Sequence, residues 1–123
     1  MMYRNLLLLH QLVETIAWMA EDSGRTVSVH VAACSSGEEP YSLAMALIEA
    51  GLDAQCRLCA SDVSRPLVEK AKRALIHRKS LANVPDDLVE RYLRPGPGDA
   101  MELVSRARAV SYTHLTLPTI LRV

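Results

Sequence analysis

Val31-Ala32-Ala33-Cys34-Ser35-Ser36-Gly37-Glu38-Glu39-Pro40-Tyr41-Ser42 is the stretch on which the fold turns. On its N-terminal side, Thr26-Val27-Ser28-Val29-His30-Val31 is dense in β-branched residues and reads as a strand. Ala32 and Ala33 prolong its apolar character, which predicts a buried strand. Cys34-Ser35-Ser36-Gly37 are small and form the loop that follows. A helix opens next. Pro40 suits a first turn, where its missing N–H costs nothing, and Glu38 and Glu39 set negative charge at the positive end of the helix dipole. Leu43, Ala44, Leu47 and Ile48 form its buried face, and Gly51 stops it.

Towards the N-terminus, residues 6–20 read as an amphipathic helix, with Leu9, Leu12, Val13, Ile16 and Ala20 on one face and Ser23-Gly24 as its end. Towards the C-terminus, residues 55–60 form a second strand that closes on Ser61-Asp62. Ser64 caps a third helix with Pro66 in its first turn, and Leu67, Val68, Ala71, Ala74 and Leu75 make its apolar stripe. A short helix over residues 86–93 is broken by Pro95-Gly96-Pro97-Gly98. Strands alternating with helices imply a parallel sheet with helices on its faces, an α/β fold.

The bulk composition sets limits. The 123 residues allow one ordinary domain, and half are hydrophobic, enough for a packed core. Lys+Arg and Asp+Glu both number 14, so nothing points to nucleic acid or an anionic membrane. Lys70, Lys72, Arg73, Arg78 and Lys79 read as the solvated face of a helix. The apolar run over residues 6–9 is far shorter than the roughly 20 residues a bilayer span needs, so no membrane insertion is expected and the chain reads as cytoplasmic. Cys34, Cys56 and Cys59 are too few for a disulfide framework. Cys56 and Cys59 lie three apart on a strand and face opposite ways, which favours core packing over metal or redox chemistry. His30 and His77 read as structural, His77 at a helix end.

The loop at the carboxyl end of the first strand carries the chemistry. Ligands of open α/β sheets bind in the crevice beyond the strand ends, and small side chains there admit a ligand close to the backbone. G-x-G-x-x-G is absent, and two acids at the turn oppose a phosphate. They suit a cofactor with a cationic part, such as the sulfonium or ammonium of S-adenosylmethionine. Asp62, just past the second strand, is placed to accept hydrogen bonds from ribose hydroxyls, or else to cap the helix that follows.

Ala32 to Ser42, continued by Leu43-Ala44, resembles the cofactor motif of the CheR family of chemotaxis protein methyltransferases. Weaker matches are Met2-Tyr3-Arg4-Asn5, Ala60-Ser61-Asp62-Val63, Glu69-Lys70-Ala71 and Glu90-Arg91-Tyr92-Leu93. The resemblance implies a Rossmann-like S-adenosylmethionine-dependent methyltransferase fold. It implies methyl transfer to glutamate side chains in the cytoplasmic domain of a chemoreceptor, giving γ-methyl esters. It assigns Arg4 to the cofactor's carboxylate, Glu39 to its methionine end and Asp62 to its ribose. A carboxylate acceptor is already ionised at neutral pH, so no general base and no covalent intermediate are expected.

The resemblance also implies an incomplete domain, cut down to the first two parallel strands with flanking helices. Family members carry an N-terminal helical domain before this region and later strands with an Asn-Arg motif after it. A receptor-docking β-subdomain should begin near Tyr92. A chain so cut is expected to have no turnover alone. Residues 1–109 read as the partial methyltransferase domain. Residues 110–123 read as foreign, because residues 110–119 match one reading frame of a transposase adapter used for sequencing libraries, and His114 and Tyr112 therefore carry no functional weight. The competing readings are a methyltransferase for another acceptor, a cofactor-binding sensory module without turnover, and a nicotinamide-dependent oxidoreductase. The missing glycine fingerprint and the paired acids disfavour the last.

Overall fold

The computed structural model describes residues 1–32, 38–62, 64–107 and 115–116. Residues 33–37, Cys34 among them, Val63 and most of the stretch read as foreign lie outside the described residues.

Helix α1 (Leu6–Ser23) starts where the Asn5 side chain accepts a hydrogen bond from the Leu8 N–H. It ends where Gly24 turns left-handed at φ 65°. Strand β1 (Val27–Ala32) follows, then α2 (Glu38–Glu49). Gly51, at φ 72°, closes α2: its N–H reaches the Ile48 carbonyl while Leu52 N–H reaches that of Leu47. Strand β2 (Cys56–Ser61) runs parallel to β1, pairing Val27 with Cys56 and Ala32 with Ser61. Helix α3 (Arg65–Lys72) is capped by the Ser64 hydroxyl, as its sequence requires. Then come β3 (Leu75–His77), α4 (Asp86–Tyr92), β4 (Leu93–Pro95), β5 (Ala100–Leu103) and β6 (Leu115–Thr116).

Two sheets result. One is parallel in the order β1-β2-β6, and the other is antiparallel in the order β3-β5-β4. The chain is therefore α/β with a small parallel sheet, as its alternating elements predict. The parallel sheet has three described strands rather than the two expected, the third lying in the stretch read as foreign.

Val27, Val29 and Val31 of β1 and Cys56, Leu58 and Ala60 of β2 share one face, packed against α1 and α2. The expectation that β1 is buried is corrected: Ser28, His30 and Ala32 are exposed, so the strand alternates as one with a single covered face does. Leu12, expected on the buried face of α1, is also exposed.

The third helix is shorter than its apolar stripe. It ends at Lys72, Ala74 turns left-handed at φ 55°, and Leu75 begins β3. The reason is competition from the antiparallel sheet. Leu75 and Ile76 pair with Glu102 and Met101, and the Leu103 N–H donates to the Ala74 carbonyl. His77 consequently ends a strand, not a helix, and its Nδ1 accepts the Lys79 N–H at 3.1 Å. Pro95-Gly96-Pro97-Gly98 does more than break α4, because it forms the turn between β4 and β5, with the Gly96 N–H donating to the Ala100 carbonyl at 3.0 Å. No helix among the described residues is long and apolar enough to cross a membrane.

Candidate cofactor site

Parallel pairing in register brings the carboxyl ends of β1 and β2 side by side, at Ala32 and Ser61. Helix α2 opens at the same edge with Glu38 and Glu39. A cleft of about 470 Å³ lies there, between the start of α1, β1 and the first turns of α2. Arg4, Leu8, His30, Ala32, Glu39 and Ser42 are among its walls.

Arg4 and Glu39, 35 residues apart in sequence, meet in this cleft: Arg4 Nη2 donates to Glu39 Oε1 at 3.3 Å. Both side chains are largely exposed, at 71% and 58%. An exposed pair of this kind holds only weakly, so either partner is open to exchange for a ligand group. One guanidinium beside one carboxylate complements a ligand end that carries both a carboxylate and an ammonium.

Asp62 stands at the same sheet edge, one residue past the partner of Ala32, but it is not part of the cleft wall that holds Arg4 and Glu39. It is buried, and its Oδ1 accepts the Ser64 N–H at 2.8 Å. The helix-entry alternative for Asp62 is thus realised in the contact with Ser64. The structure brings Arg4 and Glu39 together and sets Asp62 nearby.

Three wall residues were assigned no cofactor role by the sequence. Ser42 accepts the Tyr3 N–H at 3.1 Å and donates to the Glu38 carbonyl at 2.6 Å. His30 Nε2 lies 2.6 Å from the hydroxyl of buried Ser61, linking the two strand ends. Tyr3 has a left-handed backbone at φ 55°. Nothing in local spacing announces these contacts, which join residues 31 and 39 apart. Among the described residues no group of His, Cys, Asp and Glu could hold a metal ion. Cys56 is buried beside Leu58, which pushes its thiol pKa up, while Cys59 belongs to the opposite strand face.

Residues 2–117 match the family described as CheR methyltransferase, SAM binding domain. The chain belongs to the CheR methyltransferase family. The cofactor of this CheR domain is S-adenosylmethionine, and the zwitterionic complement formed by Arg4 and Glu39 fits its amino-acid end. "Chemotaxis protein methyltransferase 2" of Pseudomonas aeruginosa is 33% identical over 76 residues, covering 60% of this chain and 27% of that protein. "Chemotaxis protein methyltransferase" of Escherichia coli is 35% identical over 75 residues, covering 59% of this chain and 26% of that protein. "Probable biofilm formation methyltransferase WspC" of Pseudomonas aeruginosa is 41% identical over 58 residues, covering 46% of this chain and 14% of that protein. The chain spans about a quarter of the length of the two chemotaxis relatives.

Proposed function

We propose that this chain is the cofactor-binding part of an S-adenosylmethionine-dependent methyltransferase that esterifies glutamate side chains in the cytoplasmic domain of a chemoreceptor. The observation that carries the reading is the Arg4–Glu39 pair in a cleft at the carboxyl edge of the parallel sheet. Arg4 takes the cofactor's carboxylate through its guanidinium fork, Glu39 faces the methionine end, and the Asp62 carboxylate accepts from the ribose. Bound S-adenosylmethionine supplies an activated methyl group. The residues of the chain bind and orient it, and the receptor carboxylate is its own nucleophile, so positioning, worth roughly 7–11 kcal/mol in favourable cases, replaces acid–base chemistry.

The order β1-α2-β2-α3, with both strands parallel, supports a Rossmann-like arrangement over residues 1–109. Residues 110–123 are adapter-derived on this reading, and a genomic read across residue 109 decides that point. The names of the chemotaxis relatives support a receptor as acceptor and the cytoplasm as location. The likeness to the WspC protein favours a second reading of the acceptor, a receptor of a biofilm-forming system.

Calorimetry tests the cofactor site. This chain should bind S-adenosylhomocysteine and ignore NAD, and Arg4→Ala or Glu39→Gln should each weaken binding about tenfold, as losing a charge-assisted contact does. Equal binding of both variants and the parent chain would sink the assignment.

A further inference from the structure

Arg4 reaches Glu39 only because the chain turns sharply just before it. Tyr3 holds a left-handed backbone, φ 55°, which a side-chain-bearing residue adopts at a cost. Something must hold that turn, and three contacts converge on it. Met2 is fully buried and its N–H donates to the Ser80 carbonyl at 2.9 Å. The Tyr3 side chain is buried, and its phenol lies within the field of Glu49 and Tyr92. The Tyr3 N–H, at the apex of the turn, has its partner in the hydroxyl of Ser42.

Ser42 is 5% exposed and sits one helical turn past the start of α2. Its hydroxyl works in both directions. It donates to the Glu38 carbonyl in its own helix, which aims its lone pairs, and it accepts from Tyr3. One side chain thereby ties the strained turn carrying Arg4 to the same helical turn that carries Glu39.

We propose that Ser42 is a positioning residue: its hydroxyl fixes the turn at Tyr3 and so sets Arg4 opposite Glu39 for the cofactor's amino-acid end. This rests on the reading of Arg4 and Glu39 as contacts for that end. Ser42→Ala removes the acceptor and leaves a buried N–H unsatisfied, while alanine remains at home in a helix.

Five measurements on the 123-residue chain test it. Ser42→Ala should weaken S-adenosylhomocysteine binding by about five- to tenfold. The same variant should bind 5′-methylthioadenosine, which lacks the amino-acid end, as the parent does. In an Arg4→Ala background, Ser42→Ala should cost nothing further, because it acts through Arg4. Ser42→Thr, which keeps the hydroxyl, should restore most of the affinity. A readout independent of ligand is the Tyr3 amide, whose hydrogen exchange should speed up in Ser42→Ala and not in Ser42→Thr. Equal weakening of both ligands, full additivity with Arg4→Ala, or an unchanged Tyr3 amide would each overturn the proposal. An Arg4→Ala variant that binds S-adenosylhomocysteine normally would instead overturn the reading of Arg4, leaving the Tyr3 amide to decide whether Ser42 sets the turn.

Discussion

Asp62 has two oxygens and two demands to meet. Its Oδ1 accepts the Ser64 N–H at the entry to α3, a local structural task. The proposed ribose contact needs acceptors for neighbouring hydroxyls, a task for a carboxylate rather than a single carbonyl. Asp62→Asn separates the two. The amide oxygen can still accept from Ser64, so the thermal midpoint should move little, while affinity for S-adenosylhomocysteine should fall about tenfold. Asp62→Ala should lower both, with about 1 kcal/mol of stability lost along with the turn contact. A chain in which the asparagine variant binds as tightly as the parent would leave Asp62 with the helix-entry role alone.

At the scale of elements, glycine punctuation does measurable work. Gly24 ends α1 at φ 65° with nothing within 4 Å of an added Cβ, so Gly24→Ala meets no clash and reports the backbone cost alone. The expected loss is about 1 kcal/mol in denaturant unfolding, and no loss would mean that the cap is not held in solution. Punctuation of this kind also explains which elements were legible beforehand. Helix α2 was readable at both ends because Glu38-Glu39-Pro40 opens it and Gly51 closes it. Strands β3, β4 and β5 were not, because runs of three or four residues show no decisive period. Leu75 was also claimed by a helical stripe, and only the pairing with Glu102, distant in sequence, redirected it. The site divides the same way. The strand–loop–helix motif and its acids were visible locally, and the family resemblance supplied Arg4. The Tyr3–Ser42 and His30–Ser61 contacts depend on which segments come to lie side by side, which local patterning does not encode.

Across the whole molecule, one charged cluster ties the parallel-sheet unit to the antiparallel sheet. Glu49, the last residue of α2, accepts hydrogen bonds from Arg91 Nη1 and the Tyr92 hydroxyl at the end of α4. These bonds, with the Arg91 charge, hold the Glu49 carboxyl below its ordinary pKa of 4.5. Its contribution to stability is therefore present above about pH 4.5 and is lost as pH falls through the lower folded value. Tyr3 behaves oppositely. Burial, reinforced by the nearby Glu49 charge, pushes its phenol from 10.0 up to about 12. The folded state then holds that proton more tightly than the unfolded chain, so stability persists below pH 10 and drains away as pH rises towards 12. Burial also raises Tyr92, which adds to the alkaline limb. Denaturant unfolding across pH should show Glu49→Gln flattening the acid limb and, because the Glu49 charge also helps raise Tyr3 and Tyr92, easing the alkaline one, while Tyr3→Phe reduces the alkaline slope without abolishing it and leaves the acid limb in place. Acid and alkaline limbs that run parallel to the parent's in both variants would mean that this cluster does not join the two sheets in solution.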